Sequence, residues 1–263
     1  MSAQPRFLHR IPPPVLRGAG RAAGVLGLAA AIYAVVGGAR ALMRETKRYR
    51  HASGILYRRW TSIPAITGTG RLRIHSRVRD VMTNRDAIVL VHGYGIGSSY
   101  FVPLAARLSH QAPVFAPDLP GHGPSDHDAR PLDVAELAQA LAHWMEAMGL
   151  RGAVVVGHSL GCQVALRLAS TRPDLASRLV LIGPSPDASA RSGLGQLRRS
   201  VRTPKVRCPV TIVRGGRDHI VSQQWAQRLA QEAGAPDPVL VPGWGHAVHY
   251  DEPEAVAAII LRA

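Results

Sequence analysis

The run Val154-Val155-Val156-Gly157-His158-Ser159-Leu160-Gly161 constrains the fold more than any other stretch of this chain. Three consecutive valines read as a buried strand, and helical periodicity begins at about Leu160. The Gly-x-Ser-x-Gly pentapeptide therefore falls on a strand-to-helix turn. Such a turn is tight enough to push a serine hydroxyl outward, and it leaves no room for side chains at Gly157 and Gly161, where neighbouring backbone comes close. The amino end of the helix offers partial positive charge to an anion formed beside Ser159. A short Gly/Ser pattern recurs by chance; the strand before it and the helix after it make Ser159 a candidate nucleophile.

The same alternation runs through the chain from about residue 70. Short β-branched runs at Leu72–His75, Ala87–His92, Pro113–Ala116, Ala153–Val156, Arg178–Ile182, Pro209–Val213 and Pro238–Val241 read as strands. Helical periodicity occupies the intervals around 98–110, 133–148, 160–171 and 222–233. Strands alternating with helices imply right-handed crossovers and an α/β fold with a mostly parallel central sheet, helices on both faces and ligands at the carboxyl ends of the strands.

A serine hydroxyl is a poor nucleophile at neutral pH unless a base takes its proton and a carboxylate orients that base. Both candidates lie downstream at strand ends: Asp218 in Gly215-Gly216-Arg217-Asp218, and His246 in Gly243-Trp244-Gly245-His246. The chain order Ser159, Asp218, His246 distinguishes this architecture from other triad folds. His249 is a rival base that reads better as packing, and His92 and His158 read as supports for loops. After the strand Ala87–Val91, the turn His92-Gly93-Tyr94-Gly95 presents the amide of Tyr94, which with that of Leu160 is expected to receive the oxyanion.

From about residue 70 to its end the chain resembles the α/β-hydrolase superfamily, near its esterase and C–C hydrolase branches. The matching segments, in order, are His92–Gly95, Pro117-Asp118-Leu119-Pro120-Gly121-His122-Gly123-Pro124-Ser125, Gly157–Gly161, Gly216–Asp218 and Gly245-His246 with His249 and Glu252-Pro253. The resemblance implies nucleophile, acid and base roles for Ser159, Asp218 and His246, and a structural role for the loop holding Asp118 and His122. It also exposes a departure. Members of this branch commonly carry a helical lid of several dozen residues after the strand matching Arg178–Ile182, whereas only Ser185–Arg207 intervene here. A minimal cap and an open site follow, roofed if at all by a membrane or the N-terminal region.

Composition matters chiefly for the first 69 residues. The formal net charge of +15 is concentrated in residues 1–85, where 16 Lys/Arg face Glu45 and Asp80; residues 86–263 hold 16 against 15. A nearly neutral folded body without recognition motifs argues against a nucleic-acid partner. Residues 22–39 are 18 uncharged residues, which as a helix span about 27 Å, close to a bilayer core. Eleven of the 18 are Ala or Gly, so the drive to insert is modest. The segment is expected to be a single-pass membrane anchor; the alternatives are a cleaved signal peptide, whose n-region would be long and whose cleavage motif would carry an Arg, and a helix packed on the domain. For an anchor, the seven basic residues from Arg40 to Arg59, against four before the segment, favour a cytoplasmic catalytic domain. The lid segment 185–207 is also basic, with Arg191, Arg198, Arg199, Arg202, Lys205 and Arg207 against Asp187, and would attract anionic substrates or headgroups if it lies at the pocket mouth.

Two cysteines, Cys162 and Cys208, make neither a disulfide framework nor a metal site. Residues 1–69 are thus expected to form a basic N-terminal region with a candidate transmembrane segment at 22–39, and residues 70–263 a catalytic domain that takes a small-molecule ester or other acyl substrate, needs no cofactor or metal, and works through an acyl-enzyme. Hydrolysis of a thioester or of a C–C bond uses the same triad and remains the alternative. A non-catalytic binding protein of the same fold is disfavoured because such relatives usually lose a triad member.

Overall fold

The computed structural model describes residues 56–185 and 203–263. The apolar segment 22–39 and most of the 185–207 connection lie outside the described residues. Among the described residues no helix is long and apolar enough to cross a membrane.

Among the described residues eight strands form one mixed, mostly parallel sheet: β1 (Tyr57–Pro64), β2 (Arg71–Arg79), β3 (Ile88–Val91), β4 (Val114–Pro117), β5 (Ala153–His158), β6 (Ala176–Ile182), β7 (Val210–Gly215) and β8 (Val239–Val241). Their spatial order is β1-β2-β4-β3-β5-β6-β7-β8. The two ladders of β2, with β1 and with β4, are antiparallel, and every pairing from β4 to β8 is parallel. The central strands β3, β4 and β5 are buried along their whole length, as their continuous apolar runs require. The loops after β3, β5, β7 and β8 consequently open at one end of the sheet.

Strand β1 precedes the first strand expected from the sequence pattern. Only Ile63 of its eight residues is buried, so it shows no alternation; its extended state comes from full antiparallel pairing with β2.

Helices α1 (Val102–Leu108, entered through a 3-10 turn at Ser98–Phe101), α2 (Val134–Ala147), α3 (Leu160–Thr171), α4 (Gln223–Ala233), α5 (Val248–Asp251) and α6 (Pro253–Arg262) cover the sheet. One apolar core joins α2, α3 and α4 to one face through Leu141, Trp144, Val164, Leu168 and Leu229; the other joins α1, α5 and α6 through Leu104, Leu108, Val248, Val256 and Ile260. Local chemistry sets the helix ends. Asp133 and Glu136 make a reciprocal capping box at the start of α2, each side chain accepting from the other's amide at 2.9 Å. The α4 helix ends on Gly234 in the left-handed conformation, φ 64°.

Candidate active site

Ser159 sits between β5 and α3 with φ 53° and ψ −116°, and among the described residues it is the only one other than glycine with positive φ. Such a conformation costs on the order of 1–3 kcal/mol and persists only where the surroundings enforce it. The enforcement is visible in the flanking glycines. A β-carbon on Gly161 would land on the carbonyl oxygens of Val91 and His92, and one on Gly157 would meet Gly161 and Cys162 backbone. The elbow is thus wedged against the end of β3.

Asp218 and His246, 28 residues apart, are brought together from the ends of β7 and β8, with His246 Nδ1 2.8 Å from Asp218 Oδ2. The acid's other oxygen accepts from the amides of Ile220 at 2.8 Å and Val221 at 2.9 Å, so both of its oxygens are committed. Burial opposes a charge there, but the His246 hydrogen bond and charge together with the two amides outweigh it, and the carboxyl lies below its ordinary pKa. A charged Asp218 accepts from Nδ1–H and leaves Nε2 of His246 as the free base nitrogen. His246 approaches the elbow through its packing on His158, the residue before Ser159, with ring centroids 4.7 Å apart.

The turn after β3 is held by its histidine. His92 is fully buried and accepts from the amide of Leu119 on Nε2 at 2.9 Å, which leaves Nδ1 protonated to donate to the Gly93 carbonyl at 2.8 Å. Burial, reinforced by the nearby His122, pushes its pKa down to about 4, so it stays neutral. The peptide whose carbonyl His92 holds carries the Tyr94 amide, and a planar trans peptide points that N–H the opposite way. A β-carbon on Gly93 would lie 3.2 Å from that of Ser159, so this loop packs directly on the elbow. The second expected donor, Leu160, is the first residue of α3.

His249 is fully buried against His158, Tyr100 and Phe101, at 4.3, 4.7 and 4.9 Å between ring centroids, and neither of its ring nitrogens has a hydrogen-bond partner. It packs, as its sequence context suggested. Asp118 is buried and accepts from His75 Nδ1 at 2.6 Å and from the amide of Ser98, and so braces the loop it belongs to. Cys162 is a buried thiol facing the carbonyls of Gly157 and Ile182.

Two residues at this site escape sequence reasoning. Arg214 at the end of β7 is buried and donates to the main-chain carbonyls of Asp218 at 2.9 Å and Val221 at 2.8 Å, holding the acid's loop. Tyr100, in the turn before α1, accepts from the amide of Gly93 at 2.9 Å. No motif marks either one. The arginine at the end of an apolar strand run is the faint signal that could have found Arg214. Among the described residues no group of His, Cys, Asp and Glu could hold a metal ion.

Comparisons with known proteins bear on this arrangement. A profile of the family described as alpha/beta hydrolase fold matches residues 86–200. The chain is 38% identical over 96 residues to an uncharacterized protein of Mycobacterium bovis, a match covering 36% of this chain and 28% of that protein. It is 37% identical over 107 residues to a pimeloyl-(acyl-carrier protein) methyl ester esterase of Xanthomonas campestris pv. campestris, covering 41% of this chain and 40% of that one. The matches therefore span well under half the length of these curated relatives. In three dimensions the chain resembles a thermophilic esterase of Thermogutta terrifontis with a TM-score of 0.65 at 19% identity, over 78% of this chain and 97% of the other, a likeness of fold.

Proposed function

We propose that this chain, which belongs to the α/β-hydrolase fold superfamily, hydrolyses carboxylic esters with Ser159 as nucleophile, His246 as base and Asp218 as the acid that orients it. One observation carries this reading: a buried carboxylate holds Nδ1 of His246 at 2.8 Å while two amides clamp its other oxygen, and His246 packs on His158, the residue before a serine forced into a positive-φ turn. In the reaction, Ser159 attacks the ester carbonyl as His246 Nε2 takes its proton. The tetrahedral oxyanion accepts from the amides of Tyr94 and Leu160, and His246 then hands the proton to the departing alcohol. Water repeats the sequence on the acyl-enzyme and frees the acid. Each oxyanion donor contributes on the order of 3 kcal/mol to the barrier reduction.

An ester is the natural substrate class because it asks least of the site, and the likeness to a protein named for a methyl ester favours a small alcohol as leaving group. The interval between β6 and β7 is short for a lid, which supports a minimal cap and an open mouth. Membrane attachment through residues 22–39 remains part of the proposal, with the catalytic domain on the cytoplasmic side.

Fluorophosphonate labelling of the folded protein, together with hydrolysis of p-nitrophenyl esters of graded chain length, tests the assignment. Labelling and turnover that vanish in Ser159→Ala are expected. Equal turnover in that variant would sink the reading, and a preference for thioester or diketone substrates would redirect it.

A further inference from the structure

The hydroxyl of Tyr100 lies where three loops of the site meet. It accepts from the amide of Gly93 at 2.9 Å, and Nδ1 of His158 lies 2.8 Å from it. The other ring nitrogen of His158 lies 3.0 Å from the main-chain carbonyl of His246. Tyr100 and His158 are both buried.

The protons of this chain can be placed without ambiguity. An amide only donates and a carbonyl only accepts. The phenol oxygen takes the Gly93 N–H, so its own proton goes to His158 Nδ1. His158 is therefore protonated on Nε2, and that proton goes to the His246 carbonyl. The opposite tautomer would set a ring lone pair against the carbonyl oxygen and leave the phenol proton without an acceptor. A charged ring is disfavoured as well, because burial and the neighbouring His249 and His246 hold His158 well below its ordinary pKa.

We propose that Tyr100 and His158 are positioning residues, forming a directed hydrogen-bond relay that ties the oxyanion loop at Gly93 to the main chain of the base at His246. The proposal rests on the Ser159, His246 and Asp218 assignment above. Its physical content lies in Gly93. The Gly93 carbonyl is held by His92 and its amide by Tyr100, so both peptide planes meeting at this residue are fixed. Release of the amide leaves a glycine, the residue with the freest backbone, as a pivot beside Ser159. The Tyr94 N–H would then swing relative to the nucleophile, and a misplacement of about 1 Å at a reacting centre costs on the order of 100-fold in rate. The far end of the relay holds the backbone of the residue that must receive the serine proton. The links are coupled through the Tyr100–His158 bond: without the phenol His158 Nδ1 accepts nothing and its tautomer is no longer selected, and without His158 the phenol proton has no acceptor, so loss of either residue loosens the link that remains.

The test combines kinetics with the ring nitrogens. In Tyr100→Phe, kcat for p-nitrophenyl acetate is expected to fall about tenfold with KM within about twofold, because a positioning defect shows in turnover before binding. The double variant Tyr100→Phe, His158→Leu is expected to lose no more than the worse single variant. In 15N-histidine spectra of the full chain, His158 is expected to carry its proton on Nε2, and Tyr100→Phe to shift its Nδ1 resonance toward that of a nitrogen accepting no hydrogen bond. Wild-type kcat in Tyr100→Phe, losses that multiply in the double variant, or a His158 protonated on Nδ1 would each overturn the relay. The nitrogen spectrum of the unsubstituted protein needs no turnover, so it decides the relay even if a variant fails to fold. Full turnover in Ser159→Ala would defeat the triad alone and leave the spectrum to judge the relay.

Discussion

The guanidinium of Arg214 donates to the main-chain carbonyl of Asp218 at 2.9 Å, so the acid's position is set from beneath by a buried cation as well as from in front by His246. Replacing it strands two carbonyls. Hydrogen bonds from a charged donor are worth about 1.5–3 kcal/mol each. Arg214→Met is therefore expected to lower unfolding free energy by at least that of one bond and to reduce kcat. Arg214→Lys, which keeps the charge but loses the fork, should fall between the two. Urea denaturation read alongside ester turnover checks both; a Met variant with unchanged stability would show that the carbonyls find other donors.

Asp218→Asn preserves shape and removes the charge that selects the His246 tautomer. In an analogous triad such a change costs about 10⁴ in kcat. A loss of at least about 1,000-fold is expected here, with fluorophosphonate labelling slowed in parallel. Stopped-time labelling with densitometry would reveal a milder loss, and a loss under tenfold would remove Asp218 from its role.

Gly161→Ala should prevent the elbow from closing. Its β-carbon would collide with the Val91 and His92 carbonyl oxygens, which belong to a buried strand end that cannot yield cheaply. Overpacking of this kind typically costs 1–3 kcal/mol, and here the obstacle is backbone. Thermal melts of purified protein are expected to show a large fall in midpoint or no soluble product.

His249 makes stability depend on pH. Burial, with His246 as a lesser influence, pushes its pKa down to about 3, against an ordinary value of about 6.5. The unfolded chain therefore binds a proton that the folded one refuses between those values, so this contribution is complete above pH ~6.5 and is lost progressively as the pH falls toward ~3. His249→Leu should flatten the acid side of the stability curve by about one proton, or ~1.4 kcal/mol per pH unit. Melts at intervals from neutral pH downward provide the check; parallel curves for the two proteins would refute it. His92 and His158 are also depressed by burial and should leave a residual slope in the variant.

What could be read from the sequence, and what could not, divides on physical grounds. The seven strand runs from Leu72 to Val241 and the helices near 98–110, 133–148, 160–171 and 222–233 recur in the structure within a few residues; all but the last strand bury an apolar face that their own period displays, and of β8 only Val241 is buried. Strand β1 has no such period, since Arg58, Arg59 and Trp60 are exposed and only pairing makes it a strand. Asp218 and His246 were legible because each follows a strand at the end where the site opens, and the structure sets them in contact. Tyr100 and Arg214 were not. The first meets a residue 58 positions away, and the second acts through main-chain carbonyls that any side chain could carry.

Among the described residues the sheet is open, and its two outermost strands each have a neighbouring strand on one side only. Strand β8 is only three residues long and offers little purchase to another chain. Strand β1 runs for eight, long enough to template an extra strand from a second molecule. Its exposed Arg58 and Arg59 and its terminal Pro64 oppose that: two like charges on any incoming copy repel, and the proline has no N–H to offer. Protection of this edge is thereby shared by two arginines and a proline at the end of the sheet order remote from β5, and neutralising Arg58 and Arg59 is expected to promote association between molecules before it changes turnover.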